Sequence, residues 1–301
     1  MKKVWEFIDK KAFYFMLLPG VLLFFIFSYL PIVGIVLAFK DYNYSQGMFG
    51  SPWVGLKNFE ALFRTPDAWV ITRNTVLYNA VFIVLGMVLA VTLAILINEL
   101  RNPIMSKIYQ TIALMPHFLS YVIVAYLVYA FLSPENGFIN KTLLPLFGKK
   151  PISWYSEPKY WPFILTFVKI WKGVGYSSIV YLAAITGIST EFYEAAKIDG
   201  ATKWQQIIHI TLPGLRSIIS IMLIMNVGGL FNADFGLFYQ VPMNSGALFP
   251  TTNVLGTYVY RAMGNISFST AAGLYISVVG FILVCTANAI VRKIDEENAM
   301  F

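Results

Sequence analysis

The sequence predicts an all-α integral membrane protein with six transmembrane helices. Hydrophobic residues make up 58% of its 301 residues and charged residues only 12%, whereas soluble domains carry about 25% charged residues. The mean hydropathy is +0.67. Several uncharged runs are long enough for a membrane-spanning helix, which takes about 20 mostly apolar residues.

Six apolar runs predict the spans, in chain order. They fall at about residues 12–39, 74–98, 108–134, 161–188, 214–238 and 262–291, with tails at 1–11 and 292–301. The fourth run contains Lys169 and Lys172, and the fifth carries Asp234 near one end. An even number of spans places both termini on the same side of the membrane.

The first apolar run is expected to be a retained span rather than a signal peptide. The basic stretch MKKVWEFIDKK precedes it, but the run is longer than the apolar part of a signal peptide and shows no clear small-residue cleavage site. Lysine and arginine beside the first and last spans favour cytoplasmic termini. In the tail, Trp5, Phe7 and Ile8 stand among lysines, which suits a short helix on the membrane surface, with an undocked tail as the alternative.

The composition argues against several classes of function. The single cysteine, Cys285, excludes an internal disulfide, and the two histidines, His117 and His209, are far apart and argue against a metal centre. No GxxxxGK(S/T) loop occurs, so the chain is expected to hydrolyse no nucleotide and to bind no cofactor of its own. The net charge of +7 comes from scattered lysine and arginine, which suits lipid headgroups better than nucleic acid.

The most polar long stretch of the C-terminal half, residues 189–213, predicts two short helices. Ser189 or Thr190 can cap a first helix at about 191–199, and Gly200 stands where that helix would stop. Acidic residues in its first turns suit the helix dipole.

The second short helix is expected to begin at Thr202. Thr202 and Gln205 fit a capping box, in which the Thr202 hydroxyl accepts from the Gln205 amide and the Gln205 side chain reaches back to the Thr202 backbone. An apolar pattern at helical spacing follows and ends at Pro213. The two helices predict a docking surface outside the bilayer, with an ordinary cytoplasmic helical hairpin as the alternative.

This segment resembles the EAA loop of binding-protein-dependent ABC importer permeases. The family pattern is Glu-Ala-Ala, three residues, Gly, nine residues, Ile, one residue and Leu-Pro. Every spacing is met, by Glu194, Ala195, Ala196, Gly200, Ile210, Leu212 and Pro213. Other stretches, such as YEAAKIDGA, QTIALMPHFLSYVIV and IWKGVGYSSIVYLAAITGI, are similar to the carbohydrate branch of these permeases and to its polysaccharide and complex-oligosaccharide subgroup. The resemblance covers nearly the whole chain.

The resemblance implies a type I ABC importer permease fold, with a cytoplasmic coupling loop at 189–213 between the fourth and fifth spans. The chain would be a transport subunit of a bacterial cytoplasmic (inner) membrane rather than an enzyme, and its solute would be a carbohydrate, an oligosaccharide. The implied partners are a second homologous permease, two ATP-binding subunits that hold ATP and Mg, an extracellular solute-binding lipoprotein, and membrane lipid. In this family the EAA helix seats in a cleft of the ATPase. Glu194 is therefore expected to contact a basic group there, Gly200 to set the angle between the helices, and Pro213 to stiffen the start of span five.

Polar residues within the predicted spans are candidates for the solute path, because such residues are costly in a bilayer and usually face a cavity or a partner. Aromatic faces can cover sugar rings, and amide and carboxylate groups can bond sugar hydroxyls. The candidates are His117 and Ser120 in span three, Trp171, Lys172 and Tyr176 in span four, and Asn226, Asn232 and Asp234 in span five.

These polar residues also have alternative roles. Asn226 could bond a neighbouring helix, and His117 could pack beside a helix kink. The preferred interpretation of Lys169 is that it snorkels outward along its stem. Lys172 lies deeper, so it pairs with a carboxylate such as Asp234 or one in the partner subunit, or it meets an acidic solute containing uronate or sulfate.

Other functions fit the sequence less well. An ABC permease for peptides would share the EAA loop, although the sequence YEAAKIDGA favours a sugar solute. A secondary transporter needs ion-coupling carboxylates within its spans and usually shows internal repeats, whereas only Asp234 qualifies and no repeat is visible. A membrane-embedded enzyme would need an acid, base or metal-ligand pair that the sequence does not show.

Overall fold

The computed structural model describes residues 2–64, 67–231 and 234–294, and helices dominate this part of the chain. The long helices are α1 (Lys2–Phe24), α2 (Asp67–Asn98), α3 (Pro103–Leu114), α4 (Tyr121–Leu132), α5 (Trp161–Thr186), α6 (Thr190–Ile198), α7 (Lys203–Gly214), α8 (Arg216–Gly228) and α9 (Ile266–Ile294). Short α-helical turns lie at Gly47–Gly50, Lys57–Arg64, Leu144–Leu146, Phe249–Thr252 and Leu255–Arg261. Turns of 3₁₀-helix lie at Leu30–Phe39, Met115–Phe118, Trp154–Ser156, Pro158–Tyr160 and Gly246–Leu248, and π-helical turns at Phe25–Tyr29, Ile139–Leu143, Ile207–Thr211 and Gly236–Gln240.

Helices long and apolar enough to cross a membrane number four to six in the described residues. Four are single helices, at Met16–Phe39, Ala68–Asn98, Pro158–Thr186 and Ile266–Lys293. Two more are bent pairs: Pro103–Phe118 with α4, at 98°, and α7 with α8, at 57°. The number reaches six, as the apolar runs predict, if each bent pair is counted as one span.

The third apolar run is divided where the sequence predicts one stretch at 108–134. Pro116 lacks an amide hydrogen, and Leu119 has an extended backbone with ψ of 133°. Ser120 then caps α4 by accepting a hydrogen bond from the Ile123 amide at 3.3 Å. The end of one helix and the start of another therefore meet inside a run without Asp, Glu, Lys or Arg.

Close packing of α5 against α2 and α3 holds the centre of residues 66–260 together. Ala90 and Ala94 of α2 are fully buried against Tyr181 and Ile185 of α5, since small residues let membrane helices approach closely. On another side of α5, a Cβ at Gly175 would overlap the backbone carbonyl of Ala113. Glycine is therefore required at this crossing.

A buried asparagine organises the connection between α4 and α5. Asn140 donates to the carbonyl oxygens of Pro134 (3.1 Å) and Ile152 (2.9 Å). Its own carbonyl oxygen accepts from the Ile152 amide at 3.1 Å and from Nε1 of Trp154 at 2.9 Å. The long connection is thus fixed by one side chain whose hydrogen-bonding groups are satisfied.

The described residues within 1–65 and 261–275 form one compact unit, and those within 66–260 and 276–301 form another. Within the first unit, Lys40 donates to the carbonyl oxygens of Met48 (3.1 Å) and Phe49 (2.7 Å), and the Tyr42 amide donates to Oγ of Ser267 at 2.8 Å. The backbone is helical from Lys2. The side chains of residues 2–10 lie outside the description, so the expected membrane-surface face of the tail stays a prediction.

Candidate functional site

A cavity of about 510 Å³ lies among α2, α5, α8 and the break between α3 and α4. Five of the residues predicted for a solute path line it: His117, Lys172, Tyr176, Asn226 and Asp234. The charged residues in the described lining are Lys169, Lys172 and Asp234, which sum to a formal charge of +1. The cavity therefore combines aromatic rings, an amide and a net positive charge.

Asp234 joins two helices through a single carboxylate oxygen. Its Oδ2 accepts from Nζ of Lys169 at 2.8 Å and from the Tyr121 hydroxyl at 2.6 Å, while Oδ1 accepts from the Leu237 amide at 3.3 Å. The interpretation of Lys169 as an outward-snorkelling lysine was wrong. An inward partner carboxylate holds it at the cavity, as expected for charges within a membrane span.

Lys172 bonds to the backbone at the break between α3 and α4. Its Nζ donates to the carbonyl oxygen of His117 at 2.6 Å and lies 5.1 Å from the centre of the Tyr121 ring. That carbonyl is at the end of a helix, where oxygens lack a helical donor and the dipole favours a cation. The pairing with Asp234 considered for Lys172 is made by Lys169 instead.

His117 and Tyr176 form an aromatic surface of the cavity. Their rings are stacked, with centroids 4.3 Å apart and planes 8° apart. His117 does lie in the kinked 3₁₀ turn, as the packing alternative required, but it also lines the cavity. A flat apolar face beside lysine is suited to a sugar ring that carries an acidic group.

The other predicted path residues are placed differently. Asn226 lines the cavity and donates to the Met222 carbonyl of its own helix at 2.6 Å, rather than to a neighbouring helix. Ser120 is the N-cap of α4, and Trp171 is exposed away from the cavity lining. Asn232 lies outside the described residues.

Polar residues that the sequence analysis missed also line the cavity, among them Asn79, Tyr121 and Ser177. Asn79, in the middle of α2, donates to the carbonyl oxygens of Thr75 (3.0 Å) and Leu230 (2.8 Å). Tyr121 is the first residue of α4 and reaches Asp234. A polar amide within a charge-free span was a visible signal for Asn79, whereas nothing local distinguishes Tyr121 from the other tyrosines of its run.

The predicted capping of the EAA segment is confirmed. Ser189 Oγ accepts from the Glu191 amide at 3.3 Å at the start of α6. At the start of α7, Thr202 Oγ1 accepts from the Gln205 amide at 3.3 Å, and Gln205 Oε1 accepts from the Thr202 amide at 2.7 Å. Gly200 between them has φ of +81°, a left-handed conformation that favours glycine and turns the chain sharply.

Two side-chain contacts hold this helix pair in place. The Tyr193 hydroxyl on α6 lies 3.0 Å from that of Thr211 on α7. Nζ of Lys203 lies 2.7 Å from a carboxylate oxygen of Glu99, just beyond the end of α2. The helix pair and the connection between α2 and α3 are therefore at the same end of their spans.

The outer face of the helix pair is exposed and mixes charge with large apolar groups. Glu194 and Ala195 are exposed and Ala196 is half-buried. Phe192, Ile198 and Trp204 are 62%, 87% and 69% exposed. Apolar groups of this size, exposed together with a carboxylate, are typical of a surface that binds another protein.

The end of α7 differs from the sequence pattern. Helix was expected to end at Pro213, but α7 continues through it to Gly214, after the wider π-helical turn Ile207–Thr211. The chain bends only at Leu215, between α7 and α8. Ile210 is half-buried, while Leu212 and Pro213 are exposed.

A family model described as "Binding-protein-dependent transport system inner membrane component" matches residues 82–296. The chain belongs to this family. The polygalacturonan/rhamnogalacturonan transport system permease protein YteP of Bacillus subtilis (strain 168) is 38% identical over 97% of this chain and 91% of its own length. This relative is itself a permease protein of a carbohydrate transport system.

Solved structures of an alginate importer are similar over nearly the whole chain. The crystal structure of a bacterial ABC transporter involved in the import of the acidic polysaccharide alginate has a TM-score of 0.87 and 34% identity, covering 97% of this chain and 99% of that one. A bacterial alginate ABC transporter in complex with alginate pentasaccharide-bound periplasmic protein has a TM-score of 0.85, 34% identity and coverage of 97% and 98%. The resemblance read from the EAA loop is confirmed, and the fold is that of this permease family.

Proposed function

We propose that this chain is one of two homologous permease subunits of an ATP-driven importer that moves an oligosaccharide from an extracellular binding protein into the cytoplasm. The observation that carries the proposal is the cavity, in which the stacked His117 and Tyr176 rings lie beside two lysines within the spans of a family permease. The second permease would complete the path. The carbohydrate named for the B. subtilis relative and the alginate named for the solved importers support a sugar solute.

The solute is proposed to be acidic. Among the described lining residues the formal charge is +1, and Asp234 already pairs with Lys169, so Lys172 has only a carbonyl oxygen and a ring as partners. An ammonium group forms its strongest hydrogen bonds with an ionised acceptor such as a carboxylate. The polygalacturonan relative and the alginate importer are named for acidic polymers, which agrees with this charge.

The proposed topology has six spans, with both bent pairs crossing the membrane and both termini in the cytoplasm. The Lys203–Glu99 ion pair supports this arrangement, because it brings the connection after span two and the segment before span five to the same end. Residues 189–213 then face the cytoplasm as the coupling loop, and 1–11 and 292–301 are cytoplasmic tails.

The α6–α7 pair is proposed to bind the ATP-binding subunits. Glu194 would contact a basic group, and the exposed Phe192 and Trp204 would bury their rings in the same cleft. ATP and Mg would be held by the two partner ATPases, since this chain contains no P-loop. A mixture of polar and apolar side chains suits a surface that is exposed to water in the free subunit and covered by a partner protein in the assembly.

Uptake by the purified assembly in lipid vesicles tests the proposal. Vesicles containing ATP are expected to take up labelled oligogalacturonate from loaded binding protein, and vesicles with a non-hydrolysable ATP analogue are not. Uptake that follows an imposed proton or sodium gradient without ATP would contradict the proposal and support a secondary transporter. Uptake of peptide but not of saccharide would retain the importer and overturn the solute class.

A further inference from the structure

Lys169 and Tyr121 together form a binding site for a carboxylate at the edge of the cavity. Their donor atoms lie 2.8 and 2.6 Å from the same oxygen of Asp234, and all three residues line the cavity. An ammonium group and a hydroxyl on one oxygen are the charge-assisted hydrogen bonds that carboxylates prefer. In this structure the chain fills the site with its own carboxylate.

We propose that Asp234 is an internal counter-ion that occupies this carboxylate site between transport events, and that a carboxylate of the passing solute takes its place. The inference rests on the proposed transport of an acidic oligosaccharide. It makes Asp234 a specificity-determining residue, because a solute without an anionic group cannot compete for Lys169.

The exchange keeps Lys169 paired with a carboxylate. Displacing Asp234 with a neutral sugar would leave the Lys169 ammonium without a counter-charge within a membrane span, which is unfavourable. A solute carboxylate replaces the lost partner, so the number of ion pairs at Lys169 stays constant. The side chains of Lys169 and Asp234 are 36% and 26% exposed, so the site is open to the cavity and a solute can reach it.

The neighbouring lysine extends the same site along α5. Lys172 lies one turn from Lys169, and Cβ atoms three residues apart on a helix are about 5–6 Å apart. Both ammonium groups contact Tyr121 or its hydrogen-bond partner. Lys172, which has no carboxylate partner in the described structure, would therefore bind a second acidic group of the same oligosaccharide.

Asp234 also returns the site to its resting state. Its backbone carbonyl accepts from the Phe238 amide at 3.1 Å, and its Oδ1 accepts from the Leu237 amide, so it is anchored at the start of the turn that follows. An anchored carboxylate re-forms the pair as soon as the solute carboxylate leaves. Asp234 should therefore speed release of the solute as well as select for acidic solutes.

The variant Asp234→Asn tests this proposal, because the amide keeps the shape of the side chain and removes its charge. The assembly is supplied with the same binding protein loaded with oligogalacturonate or with its methyl ester, which is neutral. Since one binding protein serves all variants, its own preference cancels between them. Asp234→Asn is expected to slow uptake of the acidic oligomer by roughly fivefold to tenfold and to increase the amount retained by the assembly, with the ester unchanged.

Two further variants distinguish this role from a purely structural tie between helices. Lys169→Gln and Tyr121→Phe each remove a donor, so both should reduce retention of the acidic oligomer and leave uptake of the ester unchanged. The proposal is overturned if Asp234→Asn changes uptake of both oligomers equally or of neither. It is also overturned if all three variants fail to assemble, since the contacts would then be structural. Failure of the wild type to take up any saccharide with ATP would instead refute the underlying transport function.

Discussion

Nζ of Lys172 donates a 2.6 Å hydrogen bond to the carbonyl oxygen of His117 at the break between α3 and α4. One turn earlier on α5, Lys169 pairs with Asp234, which in turn accepts from the first residue of α4. Two lysines therefore bind the two sides of the same break, one through a carbonyl and one through a carboxylate. The positive charge of the cavity and the contacts at the break between α3 and α4 depend on the same side chains.

Replacing Lys172 with Met should reduce uptake of an acidic oligosaccharide by roughly tenfold or more, the equivalent of one charge-assisted hydrogen bond. The methyl-ester oligomer should be affected less, since it gains only from the aromatic surface. Initial uptake rates into vesicles measure both. Lys149→Met is the matched control, because Lys149 is an exposed lysine of the connection between α4 and α5. An equal loss of uptake rate for both oligomers would show that Lys172 only stabilises the break between α3 and α4.

Gly175→Ala should destabilise the membrane domain, because the added methyl group overlaps the Ala113 carbonyl at the crossing of α3 and α5. Overpacking of this kind costs about 1–3 kcal/mol. Thermal unfolding in detergent, monitored by gel filtration, should show a lower midpoint temperature of unfolding. Gly173→Ala, on the same helix with open space at its Cβ position, should leave the midpoint unchanged. A Gly175→Ala midpoint equal to the wild type would refute this packing.

Thr202→Ala should weaken coupling, because it removes the capping box at the start of α7. Loss of an N-cap costs about 0.5–2 kcal/mol, so stimulation of ATP hydrolysis by loaded binding protein should fall several-fold. Lys203→Met is the comparison. The Lys203 and Glu99 side chains of this ion pair are 63% and 29% exposed, and exposed ion pairs contribute about 0–1 kcal/mol. A larger effect from Lys203→Met than from Thr202→Ala would reverse this ranking.

Asn140→Ala should disturb the connection between α4 and α5, because it removes the side chain that both donates to and accepts from Ile152. The unpaired backbone groups left behind cost about 1–3 kcal/mol each when buried. Limited proteolysis within residues 134–154 should become faster. Asn136→Ala is the matched control, because Asn136 is an exposed asparagine of the same connection, and this variant should be cut at the wild-type rate. Equal rates of proteolysis for both variants would show that other contacts fix this connection.

Local chemistry made the two short helices of residues 189–213 predictable from sequence. The capping box at Thr202 and Gln205 and the turn at Gly200 depend on residues within a few positions, and each forms as expected. The extension of α7 through Pro213 was not expected, because the apolar pattern does not reveal the π-helical turn before it. Proline is tolerated there because it lies in the first turn of the α-helical segment Leu212–Gly214, which follows the π-helical turn.

The contacts within the cavity were less accessible to sequence reasoning. Lys169 and Lys172 were both recognised as unusual, but the choice between them as partner of Asp234 depends on the rotation of α5 against a segment 65 residues further along. The role of Tyr121 depends on the break at Leu119 and Ser120, and the continuous uncharged run did not predict that break. Long-range geometry therefore decided which polar residues meet.

The central proposal is that the α6–α7 pair couples ATP hydrolysis to the solute path. This coupling can be measured directly. The measurement is ATP hydrolysis by the assembly in lipid, with and without loaded binding protein, in the wild type, Glu194→Lys and Glu191→Lys. Glu191 provides the same charge change on the same helix outside the Glu-Ala-Ala pattern, so its variant should stay within about twofold of the wild type, as surface substitutions usually do. We predict that Glu194→Lys assembles but loses the stimulation by loaded binding protein. Full stimulation in assembled Glu194→Lys would contradict a coupling role for this helix pair.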